Sequence, residues 1–259
     1  LLAVVCYLKW RLSSLPIPHS PFSTFNWSWY AAALLSTILA MKTKENSFTL
    51  PLMLLMIEAV FFRPHVRKRW VTLIPFLAML LIIPFSHVNM GWGTEEGSAQ
   101  ETTEISRGDY LMTQFRVIVT YIRLLFLPVN QNLDYDYPVY HSLFDPPVFF
   151  SFLFLLSLFG VASYLLFRSS IFNPQLKLVA FGVLWFFLTL SVESSIIPIR
   201  DVIFEHRLYL PSAGFFLACI IGIQGALEIL KTRFHYHLSP ILYPLVFSLI
   251  VISLSFATY

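Results

Sequence analysis

The chain has 259 residues, of which 57% are hydrophobic and only 12% are charged. This balance excludes an ordinary soluble globular domain, in which about 25% of residues are charged, and indicates a membrane protein. The net charge of +3 is small and spread over several loops, which gives no support for nucleic-acid binding. The two cysteines, Cys6 and Cys219, lie inside apolar segments and offer neither a disulfide framework nor a metal site.

Seven apolar runs have the length and the polar flanks that are typical of membrane helices. In chain order they are Trp27 to Met41, Phe48 to Phe62, Trp70 to Phe85, Val148 to Phe167, Leu176 to Leu190, Tyr209 to Leu230 and Ile241 to Phe256. An earlier apolar stretch, Leu1 to Leu8, is too short to cross about 30 Å of hydrocarbon. The sequence therefore predicts an all-α, polytopic membrane helix bundle that forms a single domain over residues 1–259.

The segment Tyr110 to Leu127 differs from these runs. It carries Arg116 and Arg123 on one helical face and apolar side chains on the other. This pattern predicts an amphipathic helix that lies at the membrane surface.

The start of the chain has neither an initiator Met nor the basic region and cleavage site of a signal peptide. We therefore expect Leu1 to Leu8 to be the remainder of a cut membrane helix. Tyr259 likewise follows an apolar run that has no polar tail. Both ends favour a fragment of a longer protein.

The basic residues assign a side of the membrane to each loop. If the loop Arg63 to Arg69 is cytoplasmic, alternation of the spans puts ten of the seventeen Lys and Arg residues on that side. The opposite side then receives every acidic residue except Glu58 and Glu228. We expect a multi-pass membrane protein with its chemically varied groups facing outward.

Two of the predicted spans, Trp27 to Met41 and Leu176 to Leu190, hold only about 15 residues, which is about 22 Å of helix. We expect their outer ends to lie below the membrane surface. The connections that follow, Met41 to Ser47 and the segment that begins at Glu193, would then form the floor of a cavity that faces outward. The alternative is that the helices extend a few residues beyond these boundaries.

The polar stretch Glu193 to Phe216 separates two apolar runs and holds most of the ionisable groups of the C-terminal half. They are Glu193, Arg200, Asp201, Glu205, His206 and Arg207. Charges at a membrane boundary are costly when unpaired, so they tend to be paired or functional. We interpret the stretch as a polar site at the bilayer surface; the alternative is a solvated connection between two helices.

Glu205, His206 and Arg207 are consecutive and suit a phosphate ligand. Arginine offers two parallel donors to phosphate, and histidine donates or relays a proton. The alternative is a salt bridge from Arg207 to Glu205 or Asp201 that only closes the loop.

Two further groups are candidates for ligand binding. Asp134 and Asp136 are one residue apart, a spacing that lets a turn point two carboxylates at a divalent cation or at sugar hydroxyls; hydrogen bonding within the loop is the alternative. Lys42 and Lys44 flank a helix end, where they either bind a phosphate or reach to the membrane surface as anchors. We expect the Asp pair to lie at the rim of the same outward cavity as Glu205 to Arg207.

Four segments together resemble one family of membrane proteins. They are Lys42 to Leu52 (KTKENSFTLPL), Tyr121 to Pro138 (YIRLLFLPVNQNLDYDYP), Ser194 to Asp201 (SSIIPIRD) and Glu205 to Phe216 (EHRLYLPSAGFF). In this order they resemble the membrane domain of bacterial tetratricopeptide-repeat proteins, which implies a bacterial inner membrane as the location. Those proteins are related to the transmembrane and tetratricopeptide repeat containing O-mannosyltransferases, which are multi-pass type C glycosyltransferases.

The resemblance implies transfer of a sugar from a polyprenyl-phosphate carrier to an acceptor, such as a protein hydroxyl, on the non-cytoplasmic face. It also implies a catalytic carboxylate in an outer loop upstream of Leu1 and tetratricopeptide repeats after the last helix. No catalytic residue is therefore assigned within this chain, and we expect the fragment alone to be inactive.

The resemblance therefore implies that this chain contributes to binding of the polyprenyl-phosphate carrier. The candidate residues are Glu205, His206, Arg207, Lys42, Lys44, Asp134 and Asp136. Fixed cations near the leaving phosphate stabilise its developing charge, and Arg207 is the first candidate for that role. No metal site or cofactor is assigned, although binding of a divalent cation by Asp134 and Asp136 stays an alternative.

Two other classes of protein compete with this interpretation. A transporter places ionisable residues near the bilayer midplane, whereas only Glu58 and Glu228 fall within the predicted spans, and both lie toward the basic ends. Transport is therefore disfavoured. A non-catalytic membrane scaffold, or an anchor for a tetratricopeptide-repeat domain, stays as the alternative.

The predicted sidedness can be tested by labelling single introduced cysteines with a membrane-impermeant maleimide. We expect Ser98→Cys to react only from the non-cytoplasmic side and His65→Cys, in the basic loop, only from the cytoplasmic side. Labelling of Ser98→Cys from the cytoplasmic side alone would reject the topology.

Overall fold

The computed structural model describes residues 1–13, 27–43, 45–62, 71–82, 105–132, 135–168, 174–194, 198–199 and 201–234. These residues form helices and connections and contain no β-strand, which confirms the predicted all-α class. They belong to two compact units, Leu1–Ala99 and Gln100–Tyr259. The predicted single membrane domain stays a prediction.

In the described residues of the first unit, the chain forms four α-helices. They are α1 (Leu2–Ser13), α2 (Trp27–Thr43), α3 (Thr49–Phe61) and α4 (Ile74–Ala78). A 3-10 turn, Glu45–Phe48, precedes α3, and another, Met79–Leu81, follows α4. The predicted runs at α2 and α3 agree with these bounds within about three residues. Of the predicted span Trp70 to Phe85, the structure describes residues 71–82, which form short α and 3-10 segments within Val71–Leu81.

The interior of the first unit combines aromatic packing with a buried ion pair. Tyr7 and Tyr30 each pack edge-on against Phe76, and Trp10 lies between the two tyrosines in the same cluster. Arg11 donates from Nη2 and Nε to the Glu58 carboxylate at 2.8 to 3.0 Å. Because both residues lie near the C-terminal ends of their helices, α1 and α3 end on the same side of the unit, as the predicted sidedness requires.

The part of the second unit that the structure describes also forms four α-helices. They are α5 (Arg107–Phe126), α6 (Pro146–Arg168), α7 (Pro174–Leu190) and α8 (Tyr209–Phe234). Helix α5 begins where the Ser106 hydroxyl accepts a hydrogen bond from the Asp109 N–H, at 3.1 Å. It is amphipathic, as the sequence predicts for Tyr110 to Leu127. A 3-10 turn, Glu205–Leu208, leads directly into α8.

Helices α7 and α8 cross at a pair of glycines. A Cβ atom placed on Gly182 would lie 2.3 Å from the Gly214 carbonyl oxygen, so only glycine permits this approach. Beside the crossing, the Trp185 indole donates a hydrogen bond to the Leu210 carbonyl at 3.0 Å. Close crossing at small residues is typical of helices that pack within membranes.

Gln175 and Glu228, linked by a hydrogen bond of 3.2 Å, mark one end of the α7 and α8 pair. Arg168 and Lys177 lie near this end because α6 stops and α7 starts there. The connection from α7 to α8, which carries Glu205 to Arg207, lies at the other end. Arg168 and Lys177 therefore lie at the opposite end of the α7 and α8 pair from Glu205 to Arg207. The predicted sidedness places these two groups on opposite sides of the membrane.

Two helices of the described part are long and apolar enough to cross a membrane, Pro146–Arg168 and Glu205–Ile229. Three apolar helices are shorter: Asn46–Phe61, Val71–Leu81 and Pro174–Leu190. Helix α6 exposes large apolar side chains along its length, including Phe150, Phe154 and Phe167. The predicted last span, Ile241 to Phe256, lies outside the described residues.

The glycine crossing predicts a selective loss of stability. Gly182→Ala should lower the free energy of unfolding in detergent by about 1–3 kcal/mol, because the new methyl group overlaps the α8 backbone. Gly222→Ala is the matched control, since its nearest neighbour would be Val179 Cγ2 at 4.0 Å. Equal thermal unfolding midpoints for the two variants would contradict the close crossing.

Candidate functional site

The candidate site is built on the connection between α7 and α8, residues 191–208, where it lies against α5. Residues 195–197 and 200 of this connection are outside the described part, and they include the predicted Arg200. Three buried polar side chains on α5 bind the backbone of the connection. Tyr110 donates to the Glu193 carbonyl at 2.7 Å, and Gln114 donates to the Val202 carbonyl at 2.9 Å. Tyr121 accepts from the Phe204 N–H at 2.9 Å.

These side chains are poorly accessible, which keeps the phenols neutral. Burial raises the pKa of Tyr110 and raises that of Tyr121 to about 12, although the nearby Arg207 charge acts in the opposite direction. The spacing of Tyr110, Gln114 and Tyr121 repeats on one helical face. That repeat of polar residues within an apolar stripe was a signal of their role that our sequence analysis missed.

Arg207 points into the protein beneath this connection, and only 3% of its side chain is exposed. Its Nε lies 3.6 Å from the Glu193 carboxylate, and Nη2 donates to the Asp201 carbonyl at 3.0 Å. The guanidinium also lies over the Phe204 ring, 5.2 Å from its centre. This geometry favours the loop-closing alternative, with Glu193 as the acidic partner in place of Glu205 or Asp201. The predicted contact of Arg207 with a carrier phosphate stays a prediction that its burial does not favour.

Glu205 joins the connection to the segment that follows α5. Its carboxylate accepts hydrogen bonds from Gln131 Nε2 at 2.7 Å, from the Asn132 N–H at 3.1 Å and from the Tyr135 hydroxyl. Burial and the bond to Glu205 raise the pKa of Tyr135, so this phenol remains a donor at neutral pH. Asn130, with φ of 57°, turns the chain toward Glu205.

Gln131, Asn132 and Tyr135, which bond to Glu205, belong to the same segment as the Asp pair. The expected position of Asp134 and Asp136 at the rim of the cavity stays a prediction. Asp134 itself lies outside the described residues, and Asp136 is exposed. A cavity lies beside Glu205, and Asp136 is not among the residues that line it. The role of the Asp pair in binding a ligand stays a prediction.

A cavity of about 530 Å³ opens beside Glu205 at the start of α8. Its lining is half polar and half apolar: Leu124, Leu125, Gln131, Asn132, Phe204, Glu205, His206, Leu208, Tyr209, Ser212 and Phe216. His206 is exposed and its ring lies 5.0 Å from that of Phe204. Arg207 does not line the cavity because it points to the opposite side of the turn. We refer to this space as the α8 cavity.

The predicted lysines belong to the first unit. Lys42 is exposed at the C-terminal end of α2, and Lys44 lies outside the described residues. Their contribution to a phosphate site stays a prediction. Within the part of the chain that the structure describes, no three His, Cys, Asp or Glu side chains come together in a way that would hold a metal ion.

Comparisons of the chain with models of known families, with curated proteins and with solved structures find no match. The resemblance to the tetratricopeptide-repeat glycosyltransferase family therefore stays a prediction.

Substitution of Arg207 separates a structural role from ligand binding. Arg207→Ala leaves Glu193 buried without its cation and removes a donor from the Asp201 carbonyl, so it should destabilise the protein by about 3 kcal/mol in detergent. Arg123→Ala is the control, since Arg123 is exposed and should change stability by less than about 0.5 kcal/mol.

The opposite result is equally informative. If Arg207→Ala unfolds at the wild-type temperature but no longer binds a polyprenyl phosphate, Arg207 contacts the ligand and the loop-closing role is wrong.

Proposed function

We propose that this chain is part of a membrane glycosyltransferase that moves a sugar from a polyprenyl-phosphate carrier to an acceptor on the non-cytoplasmic face. The observation that carries the proposal is the mixed lining of the α8 cavity. Leu124, Leu125 and Phe216 offer an apolar wall, while Glu205 and His206 offer polar groups at the mouth. A ligand with an isoprenoid chain and a sugar phosphate head requires both kinds of surface.

The residues around the cavity have different roles in this proposal. His206 is exposed in the lining and donates a hydrogen bond or a proton to the phosphate that leaves the sugar. Glu205 accepts three hydrogen bonds and holds the wall formed by Gln131 and Asn132. Arg207 is a positioning residue, because its bonds to the connection set the turn from which His206 projects.

The finer architecture is part of the same proposal. The two helices long enough to cross a membrane belong to a polytopic bundle of about seven spans, with α5 at the outer surface. The proposed class is a type C glycosyltransferase with tetratricopeptide repeats, and no residue of this chain is assigned as its catalytic base. Lys42 and Lys44 are further candidates for the carrier phosphate, and Asp134 and Asp136 for sugar hydroxyls or a divalent cation.

A non-catalytic scaffold or membrane anchor is the second candidate. It is favoured because two charged residues predicted to bind the carrier, Glu205 and Arg207, already bond to other groups of the protein. Glu205 is occupied by three donors from the segment after α5, and Arg207 is occupied by Glu193 and the Asp201 carbonyl. Both charges therefore have structural explanations that need no ligand.

Binding of the carrier distinguishes the two candidates. The full chain is reconstituted in phosphatidylcholine vesicles and irradiated with a photoreactive polyprenyl phosphate. We expect cross-linking to residues of the α8 cavity, and at least tenfold less of it in Ser212→Trp, whose indole fills the space. Ser157→Trp on the exposed side of α6 is the control and should cross-link like the wild type.

Two results would overturn the carrier site. One is undiminished cross-linking of Ser212→Trp in folded protein. The other is equal cross-linking of a polyprenol that lacks the phosphate. In the intact protein, His206→Ala should also lower sugar transfer about tenfold or more, corresponding to about 1.4 kcal/mol, without loss of folded protein.

A further inference from the structure

A second groove lies along the exposed face of α5. It has a volume of about 670 Å³ and combines basic, phenolic and amide groups: Arg116, Val119, Thr120, Arg123, Asn130, Tyr135, Tyr137, Pro138 and Tyr140. None of these residues lines the α8 cavity. We call this space the α5 groove.

The two arginines of the α5 groove carry positive charge that the described residues do not neutralise. Arg116 is half-buried and Arg123 is exposed, and neither forms an ion pair with a carboxylate in the part of the chain that the structure describes. They are seven residues apart on α5, which places them on the same face about 10 Å apart along the helix axis. Two guanidinium groups in one groove favour an anion that can accept several hydrogen bonds.

The phenols of the groove add donors and no negative charge. Burial raises the pKa of Tyr137, while hydrogen bonding to Thr120 and the charges of Arg116 and Arg123 oppose this shift. Tyr137 and Thr120 hydroxyls lie 3.1 Å apart and fix the wall of the groove. At neutral pH the lining therefore presents two cations and neutral donors, which suits a phosphate group.

The side chains around the groove indicate which kind of phosphate-containing ligand would bind there. At the end of α5, next to Arg123, the side chains of Phe126, Leu127 and Val129 are exposed and apolar. The opposite face of α5 is buried, and it includes Tyr110, Val117 and Tyr121. An exposed apolar end beside two arginines that form no ion pair with the described carboxylates matches a ligand that is itself amphiphilic, with a phosphate head and a hydrocarbon tail.

We propose that the α5 groove binds the phosphate headgroup of an anionic membrane phospholipid, with Arg116 and Arg123 as its cations. The bound lipid holds α5 at the membrane surface and thereby steadies the turn at Asn130 and the segment that bonds to Glu205. This inference depends on the membrane location proposed above, but it does not depend on sugar transfer.

Native mass spectrometry of the full chain in neutral detergent tests the groove. With phosphatidylglycerol and phosphatidylcholine as probes, we expect the wild type to bind phosphatidylglycerol about tenfold more tightly. The double variant Arg116→Gln/Arg123→Gln should lose this preference. Arg107→Gln/Arg168→Gln is the matched control, because it removes the same charge from residues that do not line the groove and should keep the preference.

Each alternative gives a different result. Equal loss of the preference in the control pair would mean a general effect of charge and would overturn the site. Displacement of phosphatidylglycerol by millimolar inorganic phosphate would assign the groove to a soluble phosphate and overturn the lipid. Tighter binding of a polyprenyl phosphate than of phosphatidylglycerol, lost in the Arg116→Gln/Arg123→Gln variant, would make the groove a carrier site and overturn the phospholipid assignment.

The Ser212→Trp variant separates the two proposals. It fills the α8 cavity and should leave the preference for phosphatidylglycerol unchanged. A result that rules out carrier binding in the α8 cavity would therefore not rule out phospholipid binding in the α5 groove. A result that rules out phospholipid binding in the groove would likewise not rule out the carrier site.

Discussion

The second unit depends on hydrogen bonds to the backbone N–H and carbonyl groups of the irregular connection between α7 and α8. An unpaired carbonyl or N–H group that is buried away from water costs several kcal/mol, so a connection packed against a helix needs donors and acceptors from the protein. Helix α5 supplies them through Tyr110, Gln114 and Tyr121, and the connection supplies its own cation through Arg207. The described residues of the connection that take part in these bonds consequently pack against α5.

The first unit satisfies its buried charges in a similar way. Arg11 and Glu58 lie on two helices that end on the same side, and the Tyr7 hydroxyl donates to the same carboxylate at 3.0 Å. The Arg11 guanidinium also lies over the Phe62 ring, 4.5 Å from its centre. Removing one partner of such a buried pair is far more costly than the pair is worth in net stability, so both residues are constrained together.

The segment after α5 separates two spaces of different character. On one side, Gln131 and Asn132 form a wall of the α8 cavity and bond to Glu205. On the other side, Tyr135 and Tyr137 line the α5 groove with its two arginines. Because Tyr135 also donates to Glu205, a ligand in the groove and a ligand in the cavity would act on the same turn. The carrier site and the phospholipid site are therefore mechanically connected in these proposals, although their lining residues differ.

The sequence by itself determined the all-α class, the bounds of most helices and the amphipathic character of α5, because these follow from local hydrophobic periodicity. It also identified the two polar segments that meet at Glu205. It did not determine that Arg207 points inward to Glu193 while His206 points to the cavity, since adjacent residues of a 3-10 turn take their directions from the surrounding packing. Nor did it reveal the Gly182 and Gly214 crossing, which brings together residues 32 positions apart. Only the tertiary structure decided which charges are buried as partners and which remain available to a ligand, because burial and pairing depend on neighbours that are distant in the chain.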